Sequence, residues 1–163
     1  MSLSFNVDEI FEMAVEIEKN AEKFYKKAST KTSDKITKKM FLALAEMEHG
    51  HLETFEKMRT KLSEEEKELM TFDPDNEAAL YLQTMATLHG TEGKVSSSVE
   101  LTGNETLKQI LEIALNAEKD SVVFYFGLSS FVSEKSGREK IKEIIDEEIS
   151  HITTLYKKLK NLN

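Results

Sequence analysis

Two short words carry the chemistry in this chain: Glu48-His49-Gly50-His51 and Glu148-Ile149-Ser150-His151. Each sets a carboxylate three residues before an imidazole, and on a helix those two groups share a face. Each word follows a glutamate and a tyrosine two helical turns apart, Glu18 with Tyr25 and Glu118 with Tyr125. Every residue of the second set lies 100 positions after its counterpart. Four carboxylates meeting inside a protein repel one another or take up protons, and buried charge is costly unless something compensates it. Two divalent cations bring the formal charge of such a group to zero. Mixed oxygen and nitrogen donors suit iron or manganese better than calcium or magnesium, and with these ligands zinc stays open. The competing reading makes His51 and His151 ordinary core histidines paired with Glu48 and Glu148. Recurrence of the whole set favours the metal, with Tyr25 and Tyr125 as hydrogen-bond donors to the glutamates.

Helices must position these groups. Ile10, Phe11, Ala14, Ile17, Ala21, Phe24 and Ala28 recur at helical spacing, with Glu18 inside the stripe. Asn6 is the expected cap of that first helix, with Glu9 three residues on. A break at residues 30–33 follows, and Ser33 is the expected cap of a second helix. Its stripe runs from Met40 through Phe41, Leu44, Ala45, Met47, Leu52 and Phe55 to Met58 and encloses Glu48 and His51. The third helix is expected to open on a Thr102/Glu105 capping box and the fourth on Ser136/Glu139. Their stripes include Ile110, Leu111, Ala114 and Leu128, then Ile141, Ile144, Leu155 and Leu159, around the second ligand set. Apolar positions repeat with the polar ones: Ile10, Ala14 and Phe24 return as Ile110, Ala114 and Phe124. The pattern predicts one all-α domain over residues 1–163, built from helix pairs at about 6–60 and 103–161. The connection at about 61–102 includes a short helix between Asp73-Pro74 and His89. It is too long for a hairpin turn, so the third helix is expected to start at the opposite end of a four-helix bundle.

Composition narrows the function classes. The net charge of −8 argues against nucleic acid or an anionic membrane as partner. No apolar run approaches the ~20 residues of a membrane span. The chain has no cysteine, which excludes disulfides, thiolate zinc, iron–sulfur clusters and a rubredoxin-type iron within it. The cytoplasm fits that usage.

Glu18…Tyr25, Glu48-x-x-His51, Glu118…Tyr125 and Glu148-x-x-His151 together resemble the rubrerythrin-like branch of the ferritin-like superfamily. The inventory is a known template for ferritin-like di-metal carboxylate proteins, matched here residue by residue over the four helices. The resemblance implies a ferritin-like bundle with a long crossover between helices two and three, and two iron ions per chain. Glu48 and Glu148 would bridge them, Glu18 and His51 completing one set and Glu118 and His151 the other. It further implies reduction of hydrogen peroxide or reaction with dioxygen, of the kind met in oxidative stress. Electrons would come from an external rubredoxin-like donor, because this chain lacks the cysteines of a rubredoxin domain. A homodimer is left open. Rubrerythrin-like proteins also carry an extra carboxylate on helix three that takes part in a redox-linked ligand shift. One turn from Glu118 the residues here are Ala114, Leu115, Ser121 and Val122. Glu22, one turn after Glu18, is the candidate for an added carboxylate. Two other functions stay open: iron storage with ferroxidase activity, and a metal-binding bundle without turnover.

Overall fold

The computed structural model describes residues 7–64, 101–135 and 137–162. Four helices occur among the described residues: α1 (Val7–Ser29), α2 (Lys35–Thr60), α3 (Leu107–Phe131) and α4 (Arg138–Lys160). No strand occurs among the described residues. The helix α1 packs chiefly on α2 and α3 on α4, and the two hairpins meet mainly along α1 and α3. None of these helices is long and apolar enough to cross a membrane.

Two apolar clusters set the directions of the helices. One joins Ile10 and Phe11 of α1, Phe55 and Met58 of α2, Phe124 and Leu128 of α3, and Ile141 and Ile144 of α4. The other joins Ala28 of α1, Phe41 and Leu44 of α2, Ile110 and Leu111 of α3, and Leu155 of α4. The start of α1 therefore lies beside the ends of α2 and α3, so α2 and α3 run parallel. Leu62, just after α2, belongs to the first cluster, and Leu101, just before α3, belongs to the second. Leu62 and Leu101 thus lie toward opposite ends of the bundle. An α2 of 26 residues is roughly 40 Å long, which explains why the connection is long.

The helix starts differ in part from the sequence expectation. At α2 the cap is Asp34, one residue after Ser33: its side chain accepts from the Thr37 amide at 3.0 Å. At α3 the Thr102–Glu105 pair forms, with the Thr102 amide 2.7 Å from Glu105, but it closes a turn ahead of the helix. A second box, Thr106 with Gln109, opens α3 itself. At α4 the cap position belongs to Gly137, with φ 112° and no side-chain capping bond. Asn6, Ser136 and the short helix expected before His89 lie outside the described residues. Met47, expected in the core, is 37% exposed at a cleft between α2 and α4.

Gly137 sits where an L-residue is strained, and a Cβ there would meet Met58 Cε at 2.7 Å. Gly50, by contrast, lies inside α2, and a Cβ added there would meet nothing within 4 Å. In urea unfolding, Gly137→Ala should lose about 2 kcal/mol or more. Gly50→Ala should gain up to ~1 kcal/mol from helix propensity. Equal effects at the two sites would remove the strain argument.

Candidate metal centre

Between the apolar clusters each helix turns acidic or imidazole side chains inward. The helix α1 supplies Glu18, α2 Glu48 and His51, α3 Glu118, and α4 Glu148 and His151; all six are buried. The two imidazoles stack, with ring centroids 5.7 Å apart and planes 20° apart. Both turn Nδ1 toward the carboxylates. His51 Nδ1 lies 3.1 Å from Glu48, 3.1 Å from Glu148 and 3.5 Å from Glu18. His151 Nδ1 lies 3.1 Å from Glu148, 3.2 Å from Glu48 and 3.6 Å from Glu118. Glu48 and Glu148 thus serve both rings, whereas Glu18 and Glu118 serve one each. Two overlapping sets result, Glu18–Glu48–His51–Glu148 and Glu48–Glu118–Glu148–His151. Within each, one donor atom from every residue lies within 4.8 Å of the others.

The tyrosines link the hairpins crosswise. Tyr25 Oη of α1 donates to Glu118 Oε1 of α3, and Tyr125 Oη of α3 donates to Glu18 Oε1 of α1. Phe41 stacks on Tyr25, and Phe55 packs at a tilt against Tyr125. Each phenol is thereby held with one lone carboxylate oxygen as its acceptor. Burial, and then the neighbouring carboxylates, push both phenols well above the ordinary tyrosine range.

Protons balance the charge of the cluster without a metal. Burial raises Glu18, and the charges of Glu148 and Glu48 raise it further. Burial likewise raises Glu118, followed by Glu48 and Glu148. Burial alone would lower both histidines, but hydrogen bonds to the glutamates outweigh it: His51 is strongly raised, and His151 rises to about 12. Glu148 goes the other way, because hydrogen bonds from Glu118 and both histidines overcome the cost of burial. The donor set fits two divalent ions in place of those protons. Glu48 Oε1 is buried and has no hydrogen bond among the described residues although His151 Nδ1 is 3.2 Å away, so this oxygen at the shared position could serve an ion.

Sequence reasoning placed these six residues and both tyrosines on helix faces, and the structure brings all eight together. It does not bring Glu22: that side chain turns outward to Lys26 and to His49, 3.3 Å away. Glu12 and Glu112 are exposed. The sequence reading missed Glu147, whose carboxylate lies 2.8 Å from His51 Nε2. Its only signal was a break in the repeat, since position 47 holds methionine.

Bundle topology, crossover and the carboxylate–histidine core define a ferritin-like protein of the di-iron carboxylate type. The family model for rubrerythrin matches residues 9–160, and the chain belongs to that family. A solved structure with similar fold comes from Thermotoga maritima and is designated that of a ferritin-like diiron-carboxylate protein. It shares 26% identity over 98% of each chain, with a TM-score of 0.74. A search of the curated proteins found no match.

Proposed function

We propose that this protein is a non-haem di-iron redox protein that reduces hydrogen peroxide, or reacts with dioxygen, using electrons from a separate donor. The observation that carries the reading is the overlap of the two four-residue sets on Glu48 and Glu148. Shared carboxylates would hold two cations near each other, and two such ions would supply the redox chemistry for one small oxidant. Two iron ions bound there would supply the two electrons that turn hydrogen peroxide and two protons into two waters. Membership of the rubrerythrin family supports iron as the metal.

The chain's own residues set the surroundings. Tyr25 and Tyr125 each occupy one oxygen of Glu118 and Glu18 and so orient those carboxylates. Apolar clusters close the bundle interior on both sides of the site. A cleft of about 490 Å³ between α2 and α4, lined by Met47, Gly50, His51, Thr54 and Glu147 among others, reaches the His51 ring. It offers a small oxidant a way in. The lack of cysteine leaves the chain no thiolate-bound iron of its own to relay electrons, and a rubredoxin-like protein suits that role.

Stopped-flow mixing of the reduced, iron-loaded protein with peroxide or oxygen tests the reading. Peroxide should oxidise it at least about tenfold faster. An oxygen reaction as fast as the peroxide one points instead to a ferroxidase, and iron uptake far beyond two per chain to storage.

A further inference from the structure

The repeat makes the two halves of the centre nearly equivalent, yet the outer nitrogens of the two histidines differ. His51 Nε2 lies 2.8 Å from the Glu147 carboxylate. His151 Nε2 is buried and has no partner among the described residues. The twofold counterpart of Glu147 is Met47, whose thioether is at best a weak acceptor. The α4 word therefore carries a carboxylate immediately before Glu148, and the α2 word carries none before Glu48.

From this, and resting on the di-metal reading above, we propose that Glu147 is a positioning residue that makes the two metal positions unequal. The position formed by Glu18 and His51 binds its ion more tightly, and fills first. A neutral imidazole that gives Nδ1 to a metal must keep its proton on Nε2. At His51 that N–H donates to Glu147, which fixes the tautomer, aligns the ring and makes Nδ1 a stronger donor. At His151 the same tautomer buries an N–H without an acceptor, which is unfavourable. At either ring the ion takes the place that a proton on Nδ1 would hold between the carboxylates, and the N–H on Nε2 is what remains. Only at His51 does an acceptor then hold that N–H and keep the ring aligned for the ion.

Glu147 is half exposed, with 51% of its side chain accessible, so its replacement leaves the bundle core untouched. Two ions that share Glu48 and Glu148 bind stepwise even in a symmetric site, because the first reduces the negative charge seen by the second. A gap between steps therefore does not decide the matter; its dependence on Glu147 does. The test is anaerobic titration of the full-length metal-free protein with Fe(II), followed by calorimetry. Glu147→Met, which restores the repeat, should weaken the first step by about 10–100-fold and leave the second unchanged. Glu147→Gln keeps an acceptor without the charge and should show a smaller loss. Met47→Glu should strengthen the second step and narrow the gap. With one equivalent of Zn(II), ¹⁵N imidazole spectra should show the His51 Nδ1 signal moving before that of His151. Glu147→Met with both steps unchanged, or weakened equally, would overturn the proposal, as would His151 responding first. Failure of the wild type to bind either ion would instead remove the metal centre itself.

Discussion

Glu48→Ala should abolish tight iron binding yet leave the metal-free fold standing. Glu48 lies against both imidazoles, so its loss takes a donor from both ion positions. Each ion should bind at least about 100-fold more weakly, since one ligand in four carries about that share of the binding free energy at sites of this size. The metal-free protein behaves differently. Removing one partner of a buried ion pair ordinarily costs ~3–5 kcal/mol, because the other is stranded. Here the charge of Glu48 is among the causes that keep Glu18 and Glu118 protonated. Without it, one of them ionises and takes over as counter-charge to the histidines. The metal-free variant should therefore lose no more than about 2 kcal/mol, mostly from the cavity left behind. Chemical denaturation of wild type and variant, each with and without iron, measures both effects. A loss of ~4 kcal/mol or more in the metal-free form, with no change in iron affinity, would make Glu48 a structural ion-pair residue.

Loading with metal should raise the melting temperature of the wild type by roughly 15–30 °C. An ion held at about 1,000 times its dissociation constant stabilises the native state by ~4 kcal/mol. For a chain of this size each kcal/mol is worth about 2–4 °C, and two ions double the effect. The gain depends on pH in a fixed direction. Glu18, Glu118, His51 and His151 all have raised affinity for protons in the metal-free fold, and the ions must displace those protons. Proton-holding by the histidines stabilises the metal-free fold below their ordinary value of 6.5 and is lost as pH rises toward about 12 for His151. The loaded fold has no such protons to lose. The difference in melting temperature between loaded and metal-free protein should thus widen from about pH 5 to about pH 8. Scanning calorimetry with a chelator control reads it out. A difference that shrinks with rising pH would contradict the proton-for-metal exchange.

Much of this fold was legible in the chain because its signals are local. Glu18, Glu48, Glu118 and Glu148 interrupt apolar stripes at positions fixed by the repeat, so helical periodicity alone puts them inside. The length between Leu62 and Leu101 likewise requires a crossover once both ends are known to pack in different clusters. What stayed hidden depends on how the elements meet. Tyr25 and Glu18 share a helix, yet the phenol bonds Glu118 across the bundle, since the hairpins face each other through α1 and α3. Asp34 and Ser33 are both competent caps in adjacent positions, and only the turn geometry selects Asp34. Two capping boxes stand four residues apart before α3, and Thr106, not Thr102, begins it. Gly137 opens α4 through its left-handed backbone, which no side-chain signal marks. Glu22 shares the face of Glu18 by its spacing, but its carboxylate pairs with Lys26 and with His49 of α2, a choice that the spacing alone does not mark. Glu147 meets His51 Nε2 only through the way α2 and α4 come together.

Everything functional rests on Glu18, Glu48, His51, Glu118, Glu148 and His151 holding two metal ions between them. Anomalous scattering at the iron edge, from crystals of the protein loaded with Fe(II) under anaerobic conditions, tests this most directly. Two peaks are expected, both in contact with Glu48 and Glu148, one completed by Glu18 and His51 and the other by Glu118 and His151. A single peak, or none with the six side chains still paired to one another as they are here, would contradict it.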